Sequence, residues 1–207
     1  LIAIQVFIAI GLVTGMVPGL GSGAAIAASD PVDRWVDPVN GDDGNPGTEA
    51  EPFKTITHAI DVANGNDTIM LKPGTYGAGE TFPLLPAGES FKGVGGADVT
   101  IIEGPGTGGS NTMIMNNPWT DDFIEGITFT NGGTGTGGAL LVSIYNGLTA
   151  PDSPRISDCV FSDNTAAGGG GGAVHVGAGA PLTHPLLENN LFIRNQSSTD
   201  GGALDLD

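Results

Sequence analysis

Cys159-Val-Phe-Ser-Asp-Asn164 and then, after a glycine-rich stretch, Gly171-Gly172-Ala173-Val174-His175-Val176 decide the fold, because this pair occurs three times. The earlier copy reads Ile127-Thr-Phe-Thr-Asn131 followed by Gly137-Gly138-Ala139-Leu140-Leu141-Val142. The later one reads Asn190-Leu-Phe-Ile-Arg-Asn195 followed by Gly201-Gly202-Ala203-Leu204-Asp205-Leu206. A period of roughly thirty residues, built from short strands and glycine turns, means a solenoid.

Stacking the copies gives columns. Leu140, Val174 and Leu204 form one, and Val142, Val176 and Leu206 form another two residues on. Between them lie Leu141, His175 and Asp205. Side chains alternate faces along a strand, so the aliphatic columns face the core and the mixed column faces solvent. Leu140, Val174 and Leu204 are therefore expected buried, and His175 and Asp205 exposed. Phe129, Phe161 and Phe192 make a third inward column. Alignment on Phe puts Asn131 one residue out of step with Asn164 and Asn195. Alignment on Asn misplaces Phe129 instead, which costs more than a one-residue change in a turn. The Phe register is adopted, and the three asparagines read as turn residues. Asn tolerates a left-handed backbone, and its amide can pair with the next rung.

The 207 residues include 36 Gly, and only 14% are charged. Low charge argues against a solvated disordered polymer, and the glycines lack the Gly-X-Y period of collagen. The net charge of -17 repels nucleic acid and anionic lipid. It also disfavours a polyanionic substrate unless the few cations are gathered at one place. Cys159 is the single cysteine, so no intrachain disulfide forms.

The apolar run Leu1–Val13 followed by Ala25-Ile26-Ala27 reads as the apolar region and cleavage site of a secretory signal peptide, assigned to residues 1–28. An uncleaved anchor is the other reading of that run. With no initiator Met and no basic start, the expectation is a chain shortened at its beginning. Leu204-Asp-Leu-Asp207 stops inside a strand, which points to further rungs in a parent protein. Residues 29–66 are a turn-rich leader and a capping helix. Phe53, Ile56, Ala59, Ile60 and Ala63 share one helical face, Pro52 suits the first helical position, and Asn64-Gly65 suits the stop. The expected helix, residues 53–64, covers the open apolar end of the stack. Residues 67–207 form about five rungs. Strands are expected at Thr68–Lys72, Ser90–Lys92, Val99–Glu103, Met113–Met115 and Ile124–Phe129, then in the repeated pairs.

Trp35-Val-Asp-Pro-Val-Asn-Gly-Asp-Asp-Gly-Asn-Pro-Gly-Thr48, Pro52-Phe-Lys-Thr-Ile56, Ala59, Asp67-Thr-Ile69 and Lys72-Pro-Gly-Thr-Tyr76 resemble the N-terminal region of pectin-lyase-like proteins. More closely they resemble an uncharacterised bacterial domain family that opens such β-helices. The Phe-x-x-Asn and Gly-Gly-Ala pairs are similar to repeats of polymorphic outer-membrane proteins. The likeness covers about residues 35–207. It departs at Asn66, where the family usually has Gly. It implies an all-β, single-stranded, right-handed parallel β-helix with an N-terminal amphipathic capping helix, and it implies no single activity.

Lyases of that fold bind acidic sugars through calcium and take a proton with Lys or Arg. The candidates are Lys54, Lys72, Lys92, Arg155 and Arg194, but no group of several Asp around one of them is visible from spacing. Calcium is considered for the acidic loop Asp37 to Asn45. The loop lacks the Asp-x-Asn-x-Asp-Gly spacing of a helix-loop-helix site and reads rather as Asx and glycine turns. The run Gly168–Gly172 has no strand-to-helix context for a phosphate cradle and reads as a flexible turn. His175 and Asp205 share an outward column and suit acid–base chemistry; the plainer reading is two solvated residues. His58 and His184 read as surface and loop residues, Cys159 as a core or turn residue with no base to activate it. Trp119 with Asp121 and Asp122 could touch sugar. No catalytic, cofactor or metal residue is assigned.

Two functions compete. One is an exported, non-catalytic module for display, adhesion or carbohydrate binding, secreted or at the cell surface, with polysaccharide or a cell-surface glycan as partner and no nucleic acid. Membrane contact would come through the signal peptide or an anchor beyond these residues. The alternative is a polysaccharide lyase or glycoside hydrolase whose site lies partly beyond residue 207.

Overall fold

The computed structural model describes residues 30–106, 108–116, 121–133, 136–144, 154–178 and 185–206. All strand pairing listed by register is parallel. The first sheet has the order β1 (Asp33–Val36), β2 (Thr68–Leu71), β4 (Ser90–Gly93), β7 (Phe123–Glu125), β10 (Arg155–Ser157), β14 (Leu186–Glu188). The second stacks β3 (Gly74–Tyr76), β5 (Thr100–Glu103), β8 (Thr128–Thr130), β11 (Val160–Ser162) and β15 (Leu191–Ile193). The third stacks β6 (Met113–Asn116), β9 (Leu140–Ile144), β13 (Val174–Ala178) and β17 (Leu204–Leu206), and a short ladder joins β12 (Thr165–Ala166) to β16 (Gln196–Ser197). Each strand pairs with its equivalent one coil away, which is a parallel β-helix.

The Phe register holds: Phe161 lies opposite both Phe129 and Phe192. The rings stack at 5.3 and 5.1 Å, nearly parallel. Phe129, Phe161, Leu140 and Val174 are fully buried. Phe192 and Leu204 are only half-buried against the same core, because they sit in the last described coil with nothing above them.

Two readings of the turns need correction. Ile124–Phe129 is not one strand but β7 and β8, broken at Gly126, which has φ 68°. The same corner recurs at Asp158 and Asn189, each with φ 54°. The two tasks given to Asn131, Asn164 and Asn195 fall on adjacent columns. The left-handed backbone belongs to Asn131, Asp163 and Arg194, with φ between 53° and 57°. The amide ladder belongs to the next position. There Asn164 donates to the Phe129 carbonyl and to the Asn195 amide oxygen, and Asn195 donates to the Phe161 carbonyl. Gly132 holds that position in the earlier coil, and its N–H donates to the Asn164 amide oxygen. Cys159 and Asn190 do the same at the other corner: the Cys159 thiol faces the Ile124 carbonyl and the Asn190 amide the Ile156 carbonyl.

The helix α1 is shorter than expected, Ile56–Val62. Pro52 is not its first residue, because Phe53 is drawn into a parallel bridge with Val36. Ile56 and Ala59 are buried, and α1 packs on β1 and β2. The leader supplies β1, a strand its turn-rich composition hid. The start of α1 is closed from three directions. Thr55 accepts the His58 N–H, Asp43 accepts the N–H groups of Lys54 and Thr55, and Glu80 accepts those of Ile56 and Thr57. Unpaired N–H groups and the helix dipole both favour carboxylates there. Glu80→Ala is expected to cost about 1–2 kcal/mol, the scale of a lost helix cap, and a urea titration of the variant measures it.

Candidate functional site

The six basic residues are the scarce resource in a chain of this charge, and the structure places all of them. Arg34 pairs with Asp67 at 3.0 Å. The Lys54 ammonium donates to the Val39 carbonyl at 3.3 Å, and that of Lys72 to the Glu49 carbonyl at 2.8 Å. Lys72 also lies 5.8 Å from the centre of the Trp35 ring. Lys92 and Arg155 both hold Glu125, at 2.9 and 3.3 Å, and Arg155 reaches Glu188 at 4.0 Å. Arg194 grips Asp163 through two contacts of 2.6 Å. That pair lowers the Asp163 carboxyl and raises the Arg194 guanidinium.

The Lys92, Glu125 and Arg155 cluster lies on the outer face of the first sheet. The register puts Trp35, Met70, Lys92, Glu125, Ser157 and Glu188 in one column. Phe123 and Arg155 share the neighbouring outward column. Trp35, Met70 and Phe123 are half-buried, and Arg155 is exposed. The face therefore carries two aromatic rings, an apolar Met and a charge ladder along the helix axis. Six strands at roughly 4.8 Å spacing make it about 24 Å long. Counting back four residues from each repeat Phe reaches this column, a signal that three-residue strands before a corner obscure.

The acidic loop is structural. Asp37 accepts the N–H groups of Val39 and Asn40, and Asp42 that of Gly44. Burial would raise the Asp37 and Asp43 carboxyls, but the donors aimed at them hold both below the usual range. Among the described residues, no three His, Cys, Asp or Glu side chains are grouped to hold a metal ion.

His175 and Asp205 do meet: Nδ1 lies 2.9 Å from the carboxylate. His175 is not exposed, as the outward column implied, but 8% accessible. The strand parity is as expected, with Val174 and Val176 in the core on the other face. The ring is covered because the Gly168–Gly172 turn folds back over the sheet; a Cβ at Gly170, which has φ 77°, would lie 2.9 Å from the ring. That turn is pinned rather than loose. Asp200 accepts the Gly170 N–H at 3.1 Å and the Ser197 hydroxyl donates to the Gly170 carbonyl at 2.7 Å. The Gly170 N–H and the Thr199 hydroxyl keep the Asp200 carboxyl below its ordinary range.

The other candidates do not gather into a site. Cys159 is buried, and burial pushes its thiol up to about 11, the reverse of an activated nucleophile. His58 packs edge-on against Phe53 at 4.8 Å. Asp121 is exposed and Asp122 buried. Trp119, His184 and the signal-peptide reading of residues 1–28 lie outside the described residues. No helix among the described residues is long and apolar enough to cross a membrane.

A family model described as "protein of unknown function (DUF1565)" matches residues 39–176. The chain belongs to the DUF1565 family. The DUF1565 match runs from the acidic loop through β13. It takes in Lys92, Glu125, Arg155 and His175, and stops before Asp200 and Asp205. No curated protein and no solved structure matches the chain.

Proposed function

We propose that this DUF1565 domain is an exported, non-catalytic β-helix module that binds a neutral polysaccharide or surface glycan along the outer face of its first sheet. The observation that carries the reading is the engagement of all six cationic side chains by carboxylates or carbonyls. Elimination from an acidic sugar needs a cation to neutralise the substrate carboxylate and a free base to take the neighbouring proton. Here Lys92 and Arg155 are turned on Glu125 instead. The net charge of -17 opposes a polyanion and leaves a neutral chain unaffected. Trp35 and Phe123 offer rings on a straight, regularly spaced face, and an aromatic ring presents an apolar surface that suits the C–H face of a sugar.

The test is titration of the protein with soluble neutral glucans, mannans and xylans, followed by calorimetry. Binding of at least one is expected, weakened about tenfold or more by Trp35→Ala with Phe123→Ala, a loss of about 1.4 kcal/mol. Failure of all three to bind, or equal binding by the double variant, contradicts the reading. The resemblance of the leader to pectin-lyase-like proteins keeps a second reading, a glycoside-active enzyme. The His175–Asp205 pair favours it, since a carboxylate on Nδ1 orients an imidazole for proton transfer.

A further inference from the structure

The two ends of the described coil differ. At the start, α1 packs on β1 and β2. At the other end, the edge formed by β14, β15 and β17 leaves Leu186, Leu191 and Leu206 between 50% and 61% exposed. This edge is the surface on which each lower coil seats the coil above, so its chemistry can be read from two occupied copies below it.

The contacts are specific. Asp158 N–H donates to the Glu188 carbonyl and Asp163 N–H to the Ile193 carbonyl, at 3.1 and 3.0 Å. Ala173 and Val174 N–H both donate to the Ala203 carbonyl, at 2.9 and 3.0 Å. At the two corners the acceptor is a side chain. Cys159 N–H donates to the Asn190 amide oxygen and Asn164 N–H to the Asn195 amide oxygen, at 3.0 and 3.1 Å. Each amide returns a bond to the lower coil, to the Ile156 and Phe161 carbonyls. The register carries these donors to the N–H groups of Asn189, Arg194, Ala203, Leu204, Asn190 and Asn195. It carries the two carbonyls to Leu187 and Phe192. No described residue accepts from those six N–H groups. An open row of donors beside exposed leucines is a template for strand addition.

We propose that this edge is a docking surface for one further coil of the same parallel helix, delivered directly after Leu206 and carrying Asn, or another side-chain acceptor, at both corners. Delivery in the same chain follows from the path. β13 leaves its coil at Ala178 and the chain enters β14 one level up at Leu186, while Leu206 lies opposite Val176. The same course from β17 therefore leads onto the open edge. A second copy stacked head to tail would meet α1 at its own first coil rather than a matching row of carbonyls.

Hydrogen exchange resolved to single amides tests this. In the 207-residue chain, the six amides are expected to exchange fast while Asp158, Asp163, Ala173 and Val174 are protected. The comparison protein carries a second copy of residues 177–206 directly after Leu206, which preserves the register. All six amides should then gain protection on the order of a hundredfold, as for groups moved from a fraying edge into a coil. Changing the added equivalents of Asn190 and Asn195 to Ala should remove that gain at Asn190 and Asn195 while leaving it at Ala203 and Leu204. The proposal fails if the six amides are already protected in the 207-residue chain. It fails equally if their protection rises with protein concentration, which would assign the edge to a second copy, or if the added coil leaves them unprotected.

Discussion

Phe161→Ala is expected to destabilise the domain by about 4 kcal/mol, the upper range for removing a buried aromatic ring. Phe161 is fully buried and stacked on both sides, by Phe129 and by Phe192. Its loss removes dispersion contacts on two faces and leaves a cavity that neighbouring coils are too regular to fill. Phe192→Ala should cost about half as much, since that ring stacks on one side only and is half-buried. Urea denaturation of the two variants gives the comparison. Equal costs would mean that the stack is not the core of this coil.

Asp67→Ala is the second large effect, about 3 kcal/mol, at the low end for breaking a buried ion pair because Arg34 keeps some solvent. The Asp67 carboxylate is 1% exposed and Arg34 21%. It accepts the N–H groups of Val32 and Asn64 as well as the Arg34 guanidinium, and so ties β1 to the turn before β2. Burial raises its carboxyl, but these donors outweigh burial and hold it below 3.8, as happens at Asp37 and Asp43. Carboxyls whose folded values lie below their unfolded ones bind more protons when unfolded. Their contribution is complete above the unfolded values near 4 and is lost as pH falls through the folded values. Stability should hold level above about pH 5 and drop below about pH 4. Asp67→Asn should be less stable at neutral pH and show a shallower acid drop. A steeper drop in the variant would contradict this assignment.

The β-helix was legible because the repeat is written in residues that must face inward. Three phenylalanines at a fixed interval, and aliphatic columns two residues apart, leave one register, and the coordinates keep it. The features that escaped depend on contacts between coils rather than on local pattern. Nothing near Thr55 announces that Glu80 closes the helix, because the two meet only after a coil has formed. Nothing near Lys92 announces Glu125, thirty-three positions on. His175 had the right face and the wrong environment: strand parity says which way a side chain points, not whether a glycine turn folds over it. The corners misled for a smaller reason. Asn suits both a left-handed backbone and an amide ladder, and sequence does not show that adjacent columns divide the two tasks.

The most direct test of a binding module with no lyase chemistry is the release of unsaturated uronide from polygalacturonate, followed by ultraviolet absorbance with and without added calcium. The account predicts a flat trace in both conditions, since Lys72 is held by the Glu49 carbonyl and Lys92 by Glu125. A calcium-dependent rise that disappears in Lys72→Ala or Lys92→Ala would contradict it.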